Sequence, residues 1–166
     1  MAAKKAVSRR RKRRAQGGKE MDFRLIIDKT AREEVVATVH ERCALTDRIE
    51  LLVMQHAGVD RIPAYTEDDM KMLPFSEIEC ITVLDGKTYA VAADGGKYRL
   101  KQRLYELEEM LPSCFIRINK SAIANENRLE RFSAAFSGAV DAVFRSGYRE
   151  YVSRRCFAAI KRRFET

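Results

Sequence analysis

Three consecutive polar residues, Asn119, Lys120 and Ser121, interrupt a strand-forming stretch with the sequence FIRINKSAIANENRLERF at residues 115–132. The amide offers both a donor and an acceptor to a base edge, and the ammonium group suits phosphate or guanine. Turn chemistry alone accounts for the Asn and the Ser. A purely structural segment rarely places a cation between two hydrogen-bonding side chains, so the turn indicates a binding role.

Short β runs with turns between them surround this segment. Alternating apolar residues predict strands at residues 61–66, 70–73, 78–84, 88–93, 97–101, 114–118, 122–132, 139–145 and 148–152. The pairs Asp85-Gly86 and Ser146-Gly147 and the run at residues 94–96 sit between strands as hairpin turns. Helices are expected at residues 102–112 and from Ser153, whose hydroxyl can cap the last one. This pattern predicts a mainly antiparallel β domain with short helices.

A smaller region precedes this domain. The segments FRLIID, residues 23–28, and EVVATVHE, residues 34–41, alternate like strands. Residues 46–58 predict a helix in which Asp47 and Glu50 resemble a capping box. We expect residues 1–20 to be a disordered basic tail, residues 21–66 to form a strand, strand and helix region that contacts a partner or a second copy, and residues 67–166 to form the β domain.

Charge is distributed unevenly along the chain. Residues 1–20 hold nine Lys or Arg and one Glu, so they account for the whole net charge of +8. Residues 21–84 carry 7 bases and 13 acids, whereas residues 85–166 carry 16 bases and 10 acids. The basic tail could hold nucleic acid without sequence preference or be a solvated tail, with translation starting at Met21. The half that contains the Asn119–Ser121 turn is therefore also the basic half of the folded part.

Several functional classes lack support in the sequence. The four cysteines lie far apart and only two histidines accompany them, which argues against a zinc site and favours reduced thiols in a cytoplasm. No apolar run is long enough to span a membrane, and no secretory signal begins the chain. Nucleophile, phosphate-loop and paired-carboxylate motifs are missing. We expect no catalytic residue, no cofactor and no small-molecule substrate.

The joint order of these motifs resembles the LytTR DNA-binding domain of bacterial response regulators and related transcription factors. The likeness covers roughly residues 70–164 and is carried by YRLKQRLYELEEMLPSCFIRINKSAIANENRL, the following hairpin, and YVSRRCFAAI. It implies three small sheets in a row with short helices. It also implies that loops at one edge enter two successive major grooves and the minor groove between them. By position, the DNA-binding residues would be Lys87, Thr88, Asn119, Lys120, Ser121, Ser153, Arg154 and Arg155.

Two departures from the family pattern affect the details. Many members carry His followed by Arg or Asn at the positions of Asn119 and Lys120, so Lys120 is expected to favour phosphate over a base. Arg117 is expected to support the fold with its stem along the sheet. The region before the likeness is about half the length of a receiver domain, which resembles the stand-alone regulators often accompanied by a membrane protein encoded nearby.

The leading hypothesis is a bacterial, cytoplasmic transcription regulator that binds repeated half-sites on double-stranded DNA as two copies. One alternative is a protein-interaction or sensor module, in which the acidic half docks a membrane partner. The other is nonspecific RNA binding through the basic tail.

Overall fold

The computed structural model describes residues 23–134 and 138–164. Contacts divide the chain into two units, Met1–Val36 and Ala37–Thr166. The described part of the first unit, residues 23–36, contains a turn in which the amide and hydroxyl of Thr30 donate to Asp28, and neither a helix nor a strand. The expected basic tail, residues 1–20, lies outside the described residues.

Both strands predicted before residue 42 are wrong. Residues 23–28 and 34–41 are not strands, and apolar side chains such as Phe23 and Ile27 are exposed. Alternation indicates which face of a strand could be buried, but a strand also needs a neighbour to accept its backbone hydrogen bonds. No described residue supplies that neighbour.

In its described residues, the second unit consists mainly of antiparallel strands with three short helices. The helices are α1 (Ala44–His56), α2 (Leu104–Met110) and α3 (Arg154–Phe164). The strands are β1 (Arg61–Tyr65), β2 (Met70–Pro74), β3 (Ile78–Leu84), β4 (Lys87–Ala92), β5 (Lys97–Leu100), β6 (Phe115–Asn119), β7 (Ala122–Asn125), β8 (Leu129–Ala134), β9 (Val140–Phe144) and β10 (Arg149–Val152). Single 3₁₀ turns lie at Phe75–Glu77 and Glu126–Arg128. The predicted fold class is confirmed.

The strands within residues 23–134 and 138–164 form two sheets rather than the expected three. One has seven strands in the order β2-β1-β5-β4-β3-β7-β6, and the other has the order β10-β9-β8. A single residue pair, Tyr65 opposite Arg99, joins β1 to β5. This narrow junction makes the β1–β2 hairpin part of the larger sheet, which accounts for the difference in number.

Two apolar clusters hold the sheets and helices together. The first packs α2, through Leu104 and Leu107, onto the face of the larger sheet that carries Ile81 and Ile123. The second lies between the sheets and α3 and includes Ile118, Phe144, Val152 and Ile160. Because α3 buries only one stripe of side chains, its basic residues Lys161, Arg162 and Arg163 remain exposed.

A buried carboxylate connects the two sheets. Glu79 on β3 is 0% exposed. It accepts hydrogen bonds from the amide of Ser146 (3.1 Å) and from the Ser146 hydroxyl, at the turn between β9 and β10. Hydrogen bonds of this kind offset the cost of burying a carboxylate. Glu79 therefore fixes where β10, and the start of α3 beyond it, lie against the larger sheet.

Helix α1 is attached by polar contacts. It begins at Ala44, where the Thr46 hydroxyl accepts from the Cys43 amide (3.0 Å). The predicted capping pair has other roles: Asp47 pairs with Arg42 (2.7 Å), and Glu50 accepts from the Ser113 amide (3.0 Å). No helix in the described ranges is long and apolar enough to cross a membrane.

Candidate nucleic-acid interface

Two of the three predicted loops meet at the same end of the larger sheet. Strand β3 ends in the Asp85-Gly86 turn, where both residues have positive φ, and β4 returns from Lys87. Strand β7 begins at Ala122, which lies opposite Thr82 near the end of β3. The Val83 amide donates to the Ser121 carbonyl (2.9 Å). The β3–β4 and β6–β7 turns are therefore neighbours.

The third loop, between β10 and α3, is hydrogen-bonded to the end of β6. The side-chain amide of Asn119 donates to the Tyr151 carbonyl (2.6 Å), and the Ser153 amide donates to the Ile118 carbonyl (2.8 Å). We call the edge formed by the three loops, residues 85–87, 120–121 and 153–155, the rim. Segments separated by up to 70 positions in the chain thus share one edge.

An open groove of about 750 Å³ runs along part of the rim. Five of the eight predicted residues line it, namely Asn119, Lys120, Ser121, Ser153 and Arg155. The three others, Lys87, Thr88 and Arg154, are not among its lining residues. Four further residues, Arg117, Glu150, Tyr151 and Cys156, complete the lining and were not predicted as part of the site. The first precedes the turn and the last three flank Ser153, so closeness in sequence to the predicted loops was the signal available.

The predicted cations on the rim are exposed and lack carboxylate partners. Lys87, Lys120, Arg154 and Arg155 are exposed, and no described acidic residue forms an ion pair with any of them. Arg149, by contrast, lies near Asp141 (3.8 Å). Unpaired cations concentrated on one edge produce a positive potential that attracts a polyanion.

Two predicted residues have buried side chains. Thr88 is 8% exposed and lies on β4 between Val83 and Leu100 of the neighbouring strands. Asn119 is 7% exposed. Besides donating to Tyr151, it accepts a hydrogen bond from the Ser121 amide (2.6 Å). Its side chain therefore joins the β6–β7 turn to the end of β10.

The side chain of Arg117 also holds the β6–β7 turn. Its guanidinium donates to the carbonyls of Asn119 (2.6 Å) and Lys120 (2.5 Å), and it pairs with Glu108 of α2 (2.9 Å). A planar guanidinium can hold several acceptors at once in fixed directions. The turn that presents Lys120 is thus restrained by two side chains of β6, Arg117 and Asn119.

Ser153 caps α3 as its sequence predicts. Its hydroxyl accepts from the amide of Cys156 (3.3 Å), three residues into the helix. The remaining amides of the first turn have no intrahelical acceptors, as at any helix start. Together with Arg154 and Arg155, they form a donor-rich end of α3 at the rim.

The interior near the groove holds one more polar pair. The Tyr148 hydroxyl donates to Glu150 Oε2 (2.7 Å), and burial is the main cause that raises the pKa of Tyr148. The described residues contain no group of three or more His, Cys, Asp or Glu side chains placed to hold a metal ion.

Comparison with known proteins gives matches over the same region. The profile of the LytTr DNA-binding domain family matches residues 68–165. The chain is similar to uncharacterized HTH-type transcriptional regulators of Staphylococcus aureus strains NCTC 8325 / PS 47 and COL. Each is 28% identical over 122 residues, which is 72% of this chain and 82% of the relative. It also resembles the solved structure of a LytTr DNA-binding domain from Bacillus cereus, with a TM-score of 0.58, 25% identity, and coverage of 64% of this chain and 98% of that one.

The relatives' designation as HTH-type does not describe the fold seen here. Strands separate α1, α2 and α3 along the chain, so the described residues contain no pair of helices joined by a short turn. Any contact with nucleic acid at the rim must come from loops and from the start of α3.

Proposed function

Because this chain belongs to the LytTR DNA-binding domain family, we propose that it is a sequence-specific transcription regulator that reads repeated half-sites on double-stranded DNA. DNA binding rather than catalysis is the activity of this family. The observation that carries the finer proposal is the meeting of three loops, with four unpaired cations, on a single rim. Loops arranged in this way can enter successive grooves on one face of a duplex.

The residues of the rim have different roles in this proposal. Lys120 and Arg155 line the groove and contact DNA directly, Arg155 at a guanine edge and Lys120 at phosphate. Lys87 and Arg154 lie outside the groove and bind backbone phosphates, which fixes register without reading sequence. Ser121 and Ser153 add hydrogen-bond donors beside them.

Thr88 and Asn119 position the rim instead of contacting DNA. Both side chains are buried, and both hydrogen-bonding ends of Asn119 already have partners. A base edge could reach Asn119 only if those two hydrogen bonds were broken. Such a loss would weaken the connection between the β6–β7 turn and β10, so a positioning role agrees better with the geometry.

Two copies would bind two half-sites in the bacterial cytoplasm. A footprint on the protein's own promoter region should then show two protected patches about one helical turn, or a multiple of it, apart. Selection of binding sites with residues 21–166 should return a repeated motif. An affinity for every genomic site equal to that for random DNA would overturn the proposal.

Single substitutions test the assignment of the rim. Arg155→Ala should lower the discrimination between the selected site and random DNA by about 1–3 kcal/mol. Arg131→Ala is the matched control, because it also removes one exposed guanidinium but lies on β8, where Arg131 pairs with Glu130 (2.8 Å). An equal loss on selected and random DNA from Arg155→Ala would contradict direct reading by that residue.

A second candidate is a protein-interaction module, and the outer side of α1 favours it. Leu45 and Leu52 are 42% and 66% exposed. The polar residue Glu50 attaches the helix to Ser113 of the domain, and Asp47 does so only through Arg42. An apolar stripe of this kind could bind a partner, including a membrane protein encoded nearby. Copurification with that gene's product, lost on Leu52→Asp, distinguishes this candidate from DNA binding alone.

Deletion of the basic tail distinguishes nonspecific RNA binding from the two other candidates, DNA binding and protein interaction. Removing residues 1–20 should lower mainly the salt-dependent affinity for any nucleic acid and leave site discrimination intact. Loss of all binding on that deletion would favour the tail as the binding element.

A further inference from the structure

A largely buried carboxylate at the opposite end of α3 from the rim connects three elements. Glu126 lies in the 3₁₀ turn after β7, where its amide donates to the Cys114 carbonyl (2.9 Å). Its side chain is only 13% exposed. The preceding residue, Asn125, is buried and donates to the Ile78 carbonyl (2.8 Å), so the backbone that carries Glu126 is firmly held.

Glu126 holds the last turn of α3. Both carboxylate oxygens face the guanidinium of Arg163, at 3.1 Å and 3.3 Å. The 3.3 Å contact is a hydrogen bond from Nη2 to Oε2, whereas the 3.1 Å contact between Nη1 and Oε1 is an ion pair only, because Oε1 has no hydrogen-bond partner among the described residues. An ion pair that includes a hydrogen bond fixes the distance between Glu126 and the last turn of α3. Arg155, at the rim, is eight residues away on the same helix, or about 12 Å at 1.5 Å per residue. A tilt of α3 at its far end therefore moves Arg155.

The same carboxylate faces the residue that leads into α1. Arg42 Nη1 lies 3.8 Å from Glu126 Oε2, and its Nε pairs with Asp47 of α1 (2.7 Å). Arg42 also donates to the Ser113 carbonyl. Burial raises the pKa of Glu126 while Arg163 and Arg42 oppose the rise, which agrees with a poorly hydrated carboxylate that depends on its two arginines.

We infer that Glu126 is a positioning residue for DNA binding, which holds α3 in register with the rim and couples that position to α1 through Arg42. The inference rests on the proposed function. None of the three residues belongs to the rim or to the groove. Their effect on DNA is therefore indirect, and α1 becomes an element whose placement sets the affinity of a distant surface.

A purely electrostatic effect and coupling through α3 predict different DNA affinities for two variants of the full chain. Arg42→Ala removes a positive charge and Glu126→Gln removes a negative one, so long-range attraction to DNA would weaken in the first variant and strengthen in the second. Coupling predicts that both weaken binding to the selected DNA site, by about threefold to tenfold. Arg131→Ala is the charge-matched control for Arg42→Ala and should change the affinity less.

The double variant and a DNA-independent readout complete the test. If Glu126 and Arg42 are coupled, Arg42→Ala causes no further loss of DNA affinity in a protein that already carries Glu126→Gln. If their role is merely structural, the substitutions lower the melting temperature but their effects on DNA affinity are not non-additive in this way. In the free protein, loosening of α3 should raise the alkylation rate of the half-buried Cys156, measured by mass spectrometry, about threefold in both single variants. If Arg42→Ala does not fold, Arg42→Lys is used in its place. This substitution keeps the positive charge but removes the planar guanidinium.

Three results would overturn the inference: stronger DNA binding by Glu126→Gln, independent additive losses in the double variant, or an unchanged Cys156 alkylation rate. A wild-type protein that prefers no DNA site refutes the proposed function instead. In that case the alkylation measurement alone decides whether Glu126 couples α1 to α3.

Discussion

Replacing Asn119 by alanine separates positioning from direct reading of DNA. The substitution removes the hydrogen bond to the Tyr151 carbonyl and the one from the Ser121 amide, both 2.6 Å long. Each such bond contributes about 0.5–1.5 kcal/mol net, so the two together predict a loss of about 1–3 kcal/mol in the free energy of unfolding. For a small domain this lowers the melting temperature by about 5–15 °C.

DNA binding should weaken for a different reason than lost contact. Without the Asn119 side chain, the β6–β7 turn is no longer joined to the end of β10, and the groove between Lys120 and Arg155 loses its fixed width. In the variant, the groove must become ordered when DNA binds, and this ordering reduces the binding free energy. In the native protein, folding has already ordered the groove. Affinity for the selected site should therefore fall more than affinity for random DNA.

Chemical unfolding and DNA titration on the same preparations test this reasoning. Lys120→Ala is the matched control. Lys120 is next to Asn119 in the same turn, but its side chain is exposed, so its removal should change the free energy of unfolding by less than about 0.5 kcal/mol. A variant Asn119→Ala that is as stable as the native protein, yet binds the selected site poorly, would show that the amide reads DNA itself. The positioning role would then be refuted.

Three further predictions concern other parts of the molecule. Arg117→Lys keeps the charge but loses the planar guanidinium whose Nε and Nη2 reach the two carbonyls, so it should cost about 1 kcal/mol in unfolding and weaken selected-site binding, measured by titration. Burial raises the pKa of Cys114 to about 11. Iodoacetamide at neutral pH should therefore modify exposed Cys43 and half-buried Cys156 first, and DNA should protect only Cys156; protection of Cys43 would contradict the rim assignment. Hydrogen bonds from the Gly96 amide and the Tyr98 hydroxyl lower the pKa of Asp94 below its ordinary 3.8. The stability it contributes is present above pH 3.8 and lost as pH falls through the folded pKa, so urea unfolding of Asp94→Asn should show a flatter acid limb than the native protein.

The β domain could be predicted from its sequence because local pattern and turn chemistry agree there. Strand β3, for example, spans residues 78–84 as the alternation indicates, and the positive φ of Asp85 and Gly86 matches the turn expected after it. Residues 23–28 alternate just as clearly but form no strand. Pairing between distant segments decides such cases, and a single sequence contains no direct record of it.

The candidate site was predictable by residue type but not by role. Asn119 and Lys120 are adjacent polar residues in one turn, yet one side chain is buried and fully engaged while the other is exposed. By residue type alone, Asn and Lys are equally suited to contact DNA. The Glu79 contact with Ser146 joins residues 67 positions apart, and no local pattern marks it.

One nonlocal strand pairing explains why the loops meet at all. Strands β3 and β7 are antiparallel neighbours, so the end of β3 and the start of β7 lie at the same edge, and their two hairpin turns must do so as well. Three residue pairs hold this register, and all six residues are buried, including Ala122 and Ala124. A slip of one position would exchange the side chains that β7 presents to the two apolar clusters and would separate Lys120 from the β3–β4 turn. The arrangement of exposed cations on the rim therefore depends on close packing of small apolar side chains in the sheet interior, and not on attraction among the charged residues, which repel one another.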